Sequence, residues 1–186
     1  MRGRSNTRLS SLLSLVALMA FFGAVAWLAV QLEPASLDVS GAAHVADGDT
    51  LTIGKSRVRL LGIDAPEYDQ ICQDASGHDW ACGTAARDLL RQMIGKSAVT
   101  CDPEGHDQYG RVLARCAANK RDLGGAMIDA GLAISYDDYK LRETAARLAR
   151  KGLWAGHFDT PRTWRDSNGH PDEGFDFWAW AASLFG

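Results

Sequence analysis

The stretch RLLGIDAPE, residues 59–67, reads in two ways. Leu60, Leu61 and Ile63 suit a packed core, and residues 57–63 together have the length and composition of a strand. Yet Arg59 opens the stretch, and Asp64 and Glu67 close it around Pro66. A strand with a buried apolar middle fixes the separation of its polar ends. The charges at those ends are therefore held by the core.

Working outward, residues 41–46 and 50–53 are expected as two short strands around the turn DGD, Asp47 to Asp49. The tight turn GKS, residues 54–56, leads into the third strand. A polar loop, 64–81, follows. Residues 83–94 are helical by period, with Ala86, Leu89, Leu90, Met93 and Ile94 on one face and Gly95 as the stop. Two more strands, 97–101 and 112–117, flank the polar loop DPEGHDQYGR. Asp122 is expected to cap a helix through Ala130, and residues 141–151 form a third helix ended by Gly152. This order predicts an α+β, mainly β domain: a five-stranded OB-fold barrel with three helices.

The chain has 186 residues and a net charge of −3. Residues 41–165 carry 17 basic and 17 acidic side chains, which excludes a protein that coats duplex DNA by bulk charge. The N-terminus reads as a targeting segment. Arg2, Arg4 and Arg8 precede 19 uncharged residues, 12–30. Roughly 20 apolar residues span a bilayer, and basic flanks stay cytoplasmic. A transmembrane helix in 1–30 is expected, followed by a linker, 31–40, the domain, 41–165, and an acidic, aromatic tail, 166–186. The rival is a signal peptide cleaved near Ala24-Val-Ala26. Either way the domain is exported.

Four cysteines agree with export. No pair has zinc-knuckle spacing, and an even count in an oxidising compartment reads as two disulfides. Three connectivities are open. The sequential pairing is favoured: Cys101 ends one strand of a hairpin and Cys116 sits near the end of the return strand, where a modest local adjustment would allow a bridge, and Cys72–Cys82 would staple the loop after Glu67.

Three segments carry chemistry: DGDT (47–50), RLLGIDAPE (59–67) and DQYGR (107–111). Each alone is unremarkable, since Asp and Gly also make turns and strand ends also carry ion pairs. Together they lie at strand ends of one small domain. Asp49 and Asp64 can supply carboxylates to a hard cation. Arg59 and Arg111 suit a phosphate that gathers charge during attack. Glu67 can accept a proton from water.

At these residues the sequence resembles the staphylococcal-nuclease-like family, the thermonucleases. The resemblance runs over residues 43–154, through DGDTLTI, VRLLGIDAPE, DQYGR, GLA and GLW. It implies an OB-fold domain that hydrolyses DNA and RNA with calcium, cleaving P–O5′ bonds to leave 3′-phosphates. Carried over by position, Asp49, Asp64 and the Ala65 carbonyl match the calcium ligands. Arg59 and Arg111 match the phosphate-binding arginines, and Glu67 the general base. Asp47 matches an acidic position behind the ligands, and Tyr109 a tyrosine beside the bound nucleotide.

The neutral charge and the four cysteines depart from the best-known member, and Asp69, Asp74 and Asp79 load the loop after Glu67 with negative charge. Single-stranded or frayed DNA or RNA is therefore the expected substrate, with stacking on Tyr109 or Tyr136. A monomer with no organic cofactor is expected, anchored in a bacterial cell envelope with its domain on the periplasmic or extracellular side, or else secreted. Two rivals remain at this level. One is a non-catalytic OB-fold module binding nucleic acid or protein; the other is an anchored interaction protein working through its aromatic tail.

Overall fold

A computed structural model describes residues 6–31, 39–136 and 138–168. The tail from residue 169 and the linker at 32–38 lie outside the described residues. The chain divides into two compact units, Met1–Leu37 and Asp38–Gly186.

In the first unit α1 (Asn6–Gln31) is one helix of 26 residues, about 39 Å long at 1.5 Å per residue. Among the described residues no helix is long and apolar enough to cross a membrane. The side chains of Leu12, Leu13 and Val30, which belong to the expected span, are outside the described set.

The second unit holds the strands β1 (Val39–Gly41), β2 (Ala43–Val45), β3 (Thr50–Ile53), β4 (Ser56–Leu60), β5 (Ile63–Asp64), β6 (Cys72–Gln73), β7 (Asp79–Trp80), β8 (Val99–His106), β9 (Val112–Ala118), β10 (Arg121–Asp122) and β11 (Ile134–Ser135). Its helices are α2 (Cys82–Ile94), α3 (Leu123–Asp129), α4 (Lys140–Leu148) and α5 (Pro161–Ser167), with a 3-10 turn at Gly152–Ala155.

The main sheet runs β1-β8-β9-β4-β3-β2, with β10 beside β9. Only β4 and β9 pair in parallel. The expected barrel does not close. The two edges, β1 and β2, form no ladder with each other, although only Ala42 separates them along the chain. A strand that ends at one edge and restarts at the other after one residue brings the edges together covalently, without hydrogen bonds. The expected third strand is also broken: β4 ends at Leu60 and β5 starts at Ile63, with Gly62 between them at a φ of 83°. β8 runs well past the expected Cys101 into the polar loop. Pro103 sits beyond the pairing with β1, where a missing N–H costs little, and the ladder shifts register between Pro103 and Gly105.

The core lies between this sheet and α2 and α3. Leu51, Val58, Leu60, Ile63 and Val99 pack with Leu90, Leu123 and Met127, all fully buried. On α2, Ala86, Leu90 and Ile94 are buried as expected, and Leu89 and Met93 are half-buried. Asp122 precedes α3 without capping it by its side chain; its carboxylate accepts the Tyr139 hydroxyl at 3.1 Å. Helix α4 stops at Leu148 instead of reaching Lys151. Both favoured disulfides are formed, Cys72–Cys82 and Cys101–Cys116, the second between directly opposed residues of β8 and β9.

Two glycines set the approach of α2 to the strand ends. Gly48, inside DGDT, has its closest neighbours at Ala65 and Ala86: a Cβ there would lie 2.6 Å from the Ala65 Cβ. It sits in the expected turn between β2 and β3, closed by the Ala46 N–H to the Thr50 carbonyl at 3.0 Å, and close packing there also requires glycine. Gly83, in the first turn of α2, touches the backbone of Glu67, where a Cβ would fall 1.6 Å from the Glu67 carbonyl oxygen. Gly83→Ala is therefore expected to push the Glu67 loop off α2 and to cost about 3 kcal/mol, the upper end of overpacking penalties. Urea unfolding measures this, and an unchanged midpoint would contradict the contact.

Candidate active site

The break at Gly62 builds the site. Residues five apart in a continuous strand stand about 16 Å apart, at roughly 3.3 Å per residue. Here the chain turns at Gly62, and Arg59 Nη2 donates to Asp64 Oδ1 at 2.6 Å. The same nitrogen lies 3.1 Å from Asp49 Oδ2. Asp49 comes from the turn before β3, whose Thr50 is paired with Arg59 in the ladder. Two carboxylates from separate segments thus converge on one cationic nitrogen.

Each carboxylate is further held. Asp49 Oδ1 accepts the Thr50 hydroxyl at 2.9 Å, and Asp49 Oδ2 accepts the Ala65 N–H at 3.1 Å. The Asp49 N–H donates to Asp47 Oδ1 at 3.1 Å, which fixes the turn. The Glu67 turn is anchored by Gln70, a fully buried side chain: its Oε1 accepts the Glu67 N–H at 3.2 Å, and its Nε2 donates to the Asp159 carbonyl at 2.7 Å.

A third guanidinium enters from α5. Arg165 Nη1 donates to Asp64 Oδ1 at 3.1 Å and to Glu67 Oε1 at 2.8 Å, and Nη2 reaches Asp64 Oδ2 at 3.3 Å. Arg165 is 9% exposed. Sequence reasoning missed this residue. Only the helix that carries it had a local signal: Thr160-Pro161 is a helix start, and Thr160 Oγ1 accepts the Thr163 N–H with Pro161 in the first turn.

Arg111 lies on the tight turn between β8 and β9. Gly110, at a φ of 75°, closes that turn. Asp107 Oδ1 accepts the N–H groups of Tyr109 and Arg111, both at 2.9 Å, and Asp107 Oδ2 takes the Arg111 Nε–H at 2.6 Å. The Arg111 guanidinium sits 5.4 Å from the Tyr109 ring centre. Arg59, Asp64, Arg111, Tyr109, Tyr136 and Arg165 all border one open cleft of about 610 Å³, and Arg162 lines it as well. Tyr109 and Tyr136 are 52% and 46% exposed there. The cysteines lie elsewhere, in the core and under the Glu67 loop.

The charges are under tension. Burial pushes the Asp49 carboxyl above its ordinary value, with Arg59 opposing. Burial and then the Asp49 charge push Asp64 up, against Arg165 and Arg59. Burial also works against Arg59, but Asp49 and Asp64 hold its guanidinium above the ordinary range. At Asp107 burial is outweighed by donors from Arg111 and Tyr109, and the carboxyl is held low. The oxygen donors Asp49 and Asp64, aimed at one point, fit a hard cation such as calcium by chemistry. Among the described residues no group of three or more His, Cys, Asp or Glu side chains is arranged as a metal site.

The chain is similar to known proteins in sequence. A family model described as Staphylococcal nuclease homologue matches residues 57–156. Succinoglycan biosynthesis protein ExoI of Rhizobium meliloti is 34% identical over 123 residues, covering 62% of this chain and 64% of that protein. Protein ParB of Escherichia coli is 34% identical over 181 residues, covering 83% of this chain and 97% of that protein. An Escherichia coli protein named an uncharacterized endonuclease is 30% identical over 123 residues, covering 60% of this chain and 74% of that protein.

The raised carboxyls carry a stability consequence. A folded-state value above the unfolded one gives stability that is full below the unfolded value and is lost as pH rises through the folded value. Burial of the Asp49 carboxyl therefore makes the fold less stable as pH rises from acid toward neutral. Asp49→Asn keeps one oxygen toward Ala65 and Arg59, and Thr50 can reorient. In chelator at pH 7 its melting temperature is expected to match or exceed that of the wild type. A clear drop would show that the Arg59 contact outweighs burial.

Proposed function

Because the chain belongs to the staphylococcal nuclease homologue family, we propose that it is a calcium-dependent endonuclease that hydrolyses DNA and RNA to 3′-phosphate products. The convergence of Asp49 and Asp64 on one cationic nitrogen supports this reading most, with Glu67 joined to Asp64 through a shared donor.

Asp49, Asp64 and the Ala65 carbonyl would hold the calcium ion, which when bound supplies positive charge to the phosphate and acidifies water. The chain's own groups do the rest. Arg59 and Arg111 face the phosphate and match the charge that builds on its non-bridging oxygens. Asp107 presents Arg111 in a fixed orientation by holding its Nε and leaving its terminal amino groups for the cleft. Glu67 accepts the proton of the attacking water, whose oxygen bonds to phosphorus as the bond to O5′ breaks, and O5′ leaves as a hydroxyl by taking a proton from solvent water. Asp47 fixes the turn that carries Asp49. Tyr109 and Tyr136 offer faces for stacking, which favours single-stranded or frayed substrates over intact duplex.

Export and membrane anchoring complete the proposal. They are supported by the basic start and the uncharged run 12–30 in the sequence, and by two disulfides, which persist in oxidising compartments. The domain, 41–165, then works on the periplasmic or extracellular side of a bacterial envelope. Alkaline extraction of membranes is expected to leave the full-length chain in the pellet. A shortened soluble chain would favour the cleaved signal peptide instead.

The activity is tested with the full chain in mild detergent, on single-stranded and duplex DNA and on RNA, with calcium or a chelator. Cleavage is expected only with calcium, faster on single strands, with 3′-phosphate ends. Arg111→Ala and Glu67→Gln are each expected to lower the rate roughly 10²–10³-fold, the usual loss of one transition-state contact. Wild-type protein that does not cleave, or that cleaves equally in chelator, would end this reading.

A further inference from the structure

We propose that Arg165 is a built-in counter-cation of the carboxylate cluster, one that calcium must displace and that thereby sets the calcium affinity of the site. This rests on the calcium-dependent reading above.

Three observations carry it. First, Arg165 occupies the carboxylates themselves: its fork takes both oxygens of Asp64 and one of Glu67. With Arg59 on Asp49 and Asp64, every oxygen of the two aspartates already has a donor. Second, the position is built. The segment before α5 is joined to the Glu67 loop at three points. Gln73 and His157 exchange backbone hydrogen bonds at 2.8 and 3.1 Å. Gln70 bridges the Glu67 N–H and the Asp159 carbonyl. Gly156 passes so close to Gln73 that a Cβ would meet its carbonyl oxygen at 2.0 Å. Third, α5 lies beyond the residues matched by the family model, which end at 156, so the family match does not itself account for Arg165.

The electrostatic sign is unambiguous. A fixed positive charge on the same oxygens opposes a divalent cation, and the opposition is strong where water is scarce. Until it is displaced, the contact holds Glu67 beside Asp64, and calcium binding releases that restraint. A merely structural ion pair would alter the melting temperature without a gain in cation affinity.

The test is calorimetric titration of the full chain in mild detergent with calcium alone, without nucleic acid. Arg165→Gln is expected to bind calcium on the order of tenfold more tightly than wild type, within the usual range for coupled sites. It is also expected to show a larger calcium-induced rise in melting temperature. Arg165→Lys keeps a point charge but cannot bridge two carboxylates, and should fall between the two. If Arg165→Gln fails to fold, Arg165→Lys decides the matter by the same titration. Equal or weaker calcium binding by the variants, in a protein whose wild type binds calcium and cleaves, overturns this inference alone. Absence of calcium binding in wild type and variants overturns it together with the proposed function.

Discussion

One nitrogen organises the site. Arg59 Nη2 stands between Asp49 and Asp64, and without a cation at that point two buried carboxylates would face each other in a dry environment. Such an arrangement is costly unless charge is matched and hydrogen bonds are satisfied. The rest of the unit arranges that match. The β3–β4 ladder sets Arg59 opposite Thr50, the Gly62 turn returns Asp64 to it, and the Ala65 N–H and Thr50 hydroxyl complete Asp49. The raised carboxyls show that even this compensation is partial.

Small residues make the convergence possible. The Asp49 turn and the Glu67 loop are both pressed against the start of α2, and both contacts are glycines: Gly48 against Ala65 and Ala86, and Gly83 against the Glu67 backbone. The Cys72–Cys82 disulfide closes the loop that follows, and its second cysteine is the first residue of α2. Backbone, disulfide and helix therefore all restrain the segment that presents Glu67. Precision of this kind comes from packing against a rigid element and not from the loop's own sequence.

What could be read in advance follows from the range of each interaction. The strands β3, β4 and β9 and the helix α2 were legible because periodicity is local: Leu51, Val58, Ala86 and Leu90 are buried where their spacing puts them. Asp49, Arg59, Asp64 and Glu67 lie close in sequence, and the Gly62 turn and Arg165 bring their side chains together. The turn at Gly62 was read as continuous strand, since Leu61-Gly-Ile is apolar on both sides, and the true separation of Arg59 from Asp64 was hidden by that. Arg165 is 101 residues from Asp64, and no local pattern reports a contact of that span. The missing ladder between β1 and β2 was equally invisible, because it depends on how two edges meet in space and not on any residue within them.

The charge of the cleft joins these points. As a whole the sequence is slightly acidic, so it does not draw nucleic acid by a long-range field. Four arginines line the cleft, Arg59, Arg111, Arg162 and Arg165, and the carboxylates of Asp49, Asp64, Glu67 and Asp107 stand within or behind it. Three of the four guanidinium groups are paired with these carboxylates, and those pairs leave the cleft little net attraction for a phosphate. In the proposed reading a divalent cation changes that balance in two ways: it adds its own charge, and it frees Arg165 from Asp64 and Glu67. Binding of the cation and of the polyanion are then coupled through the same carboxylates, and this coupling replaces the broad basic surface that the domain lacks.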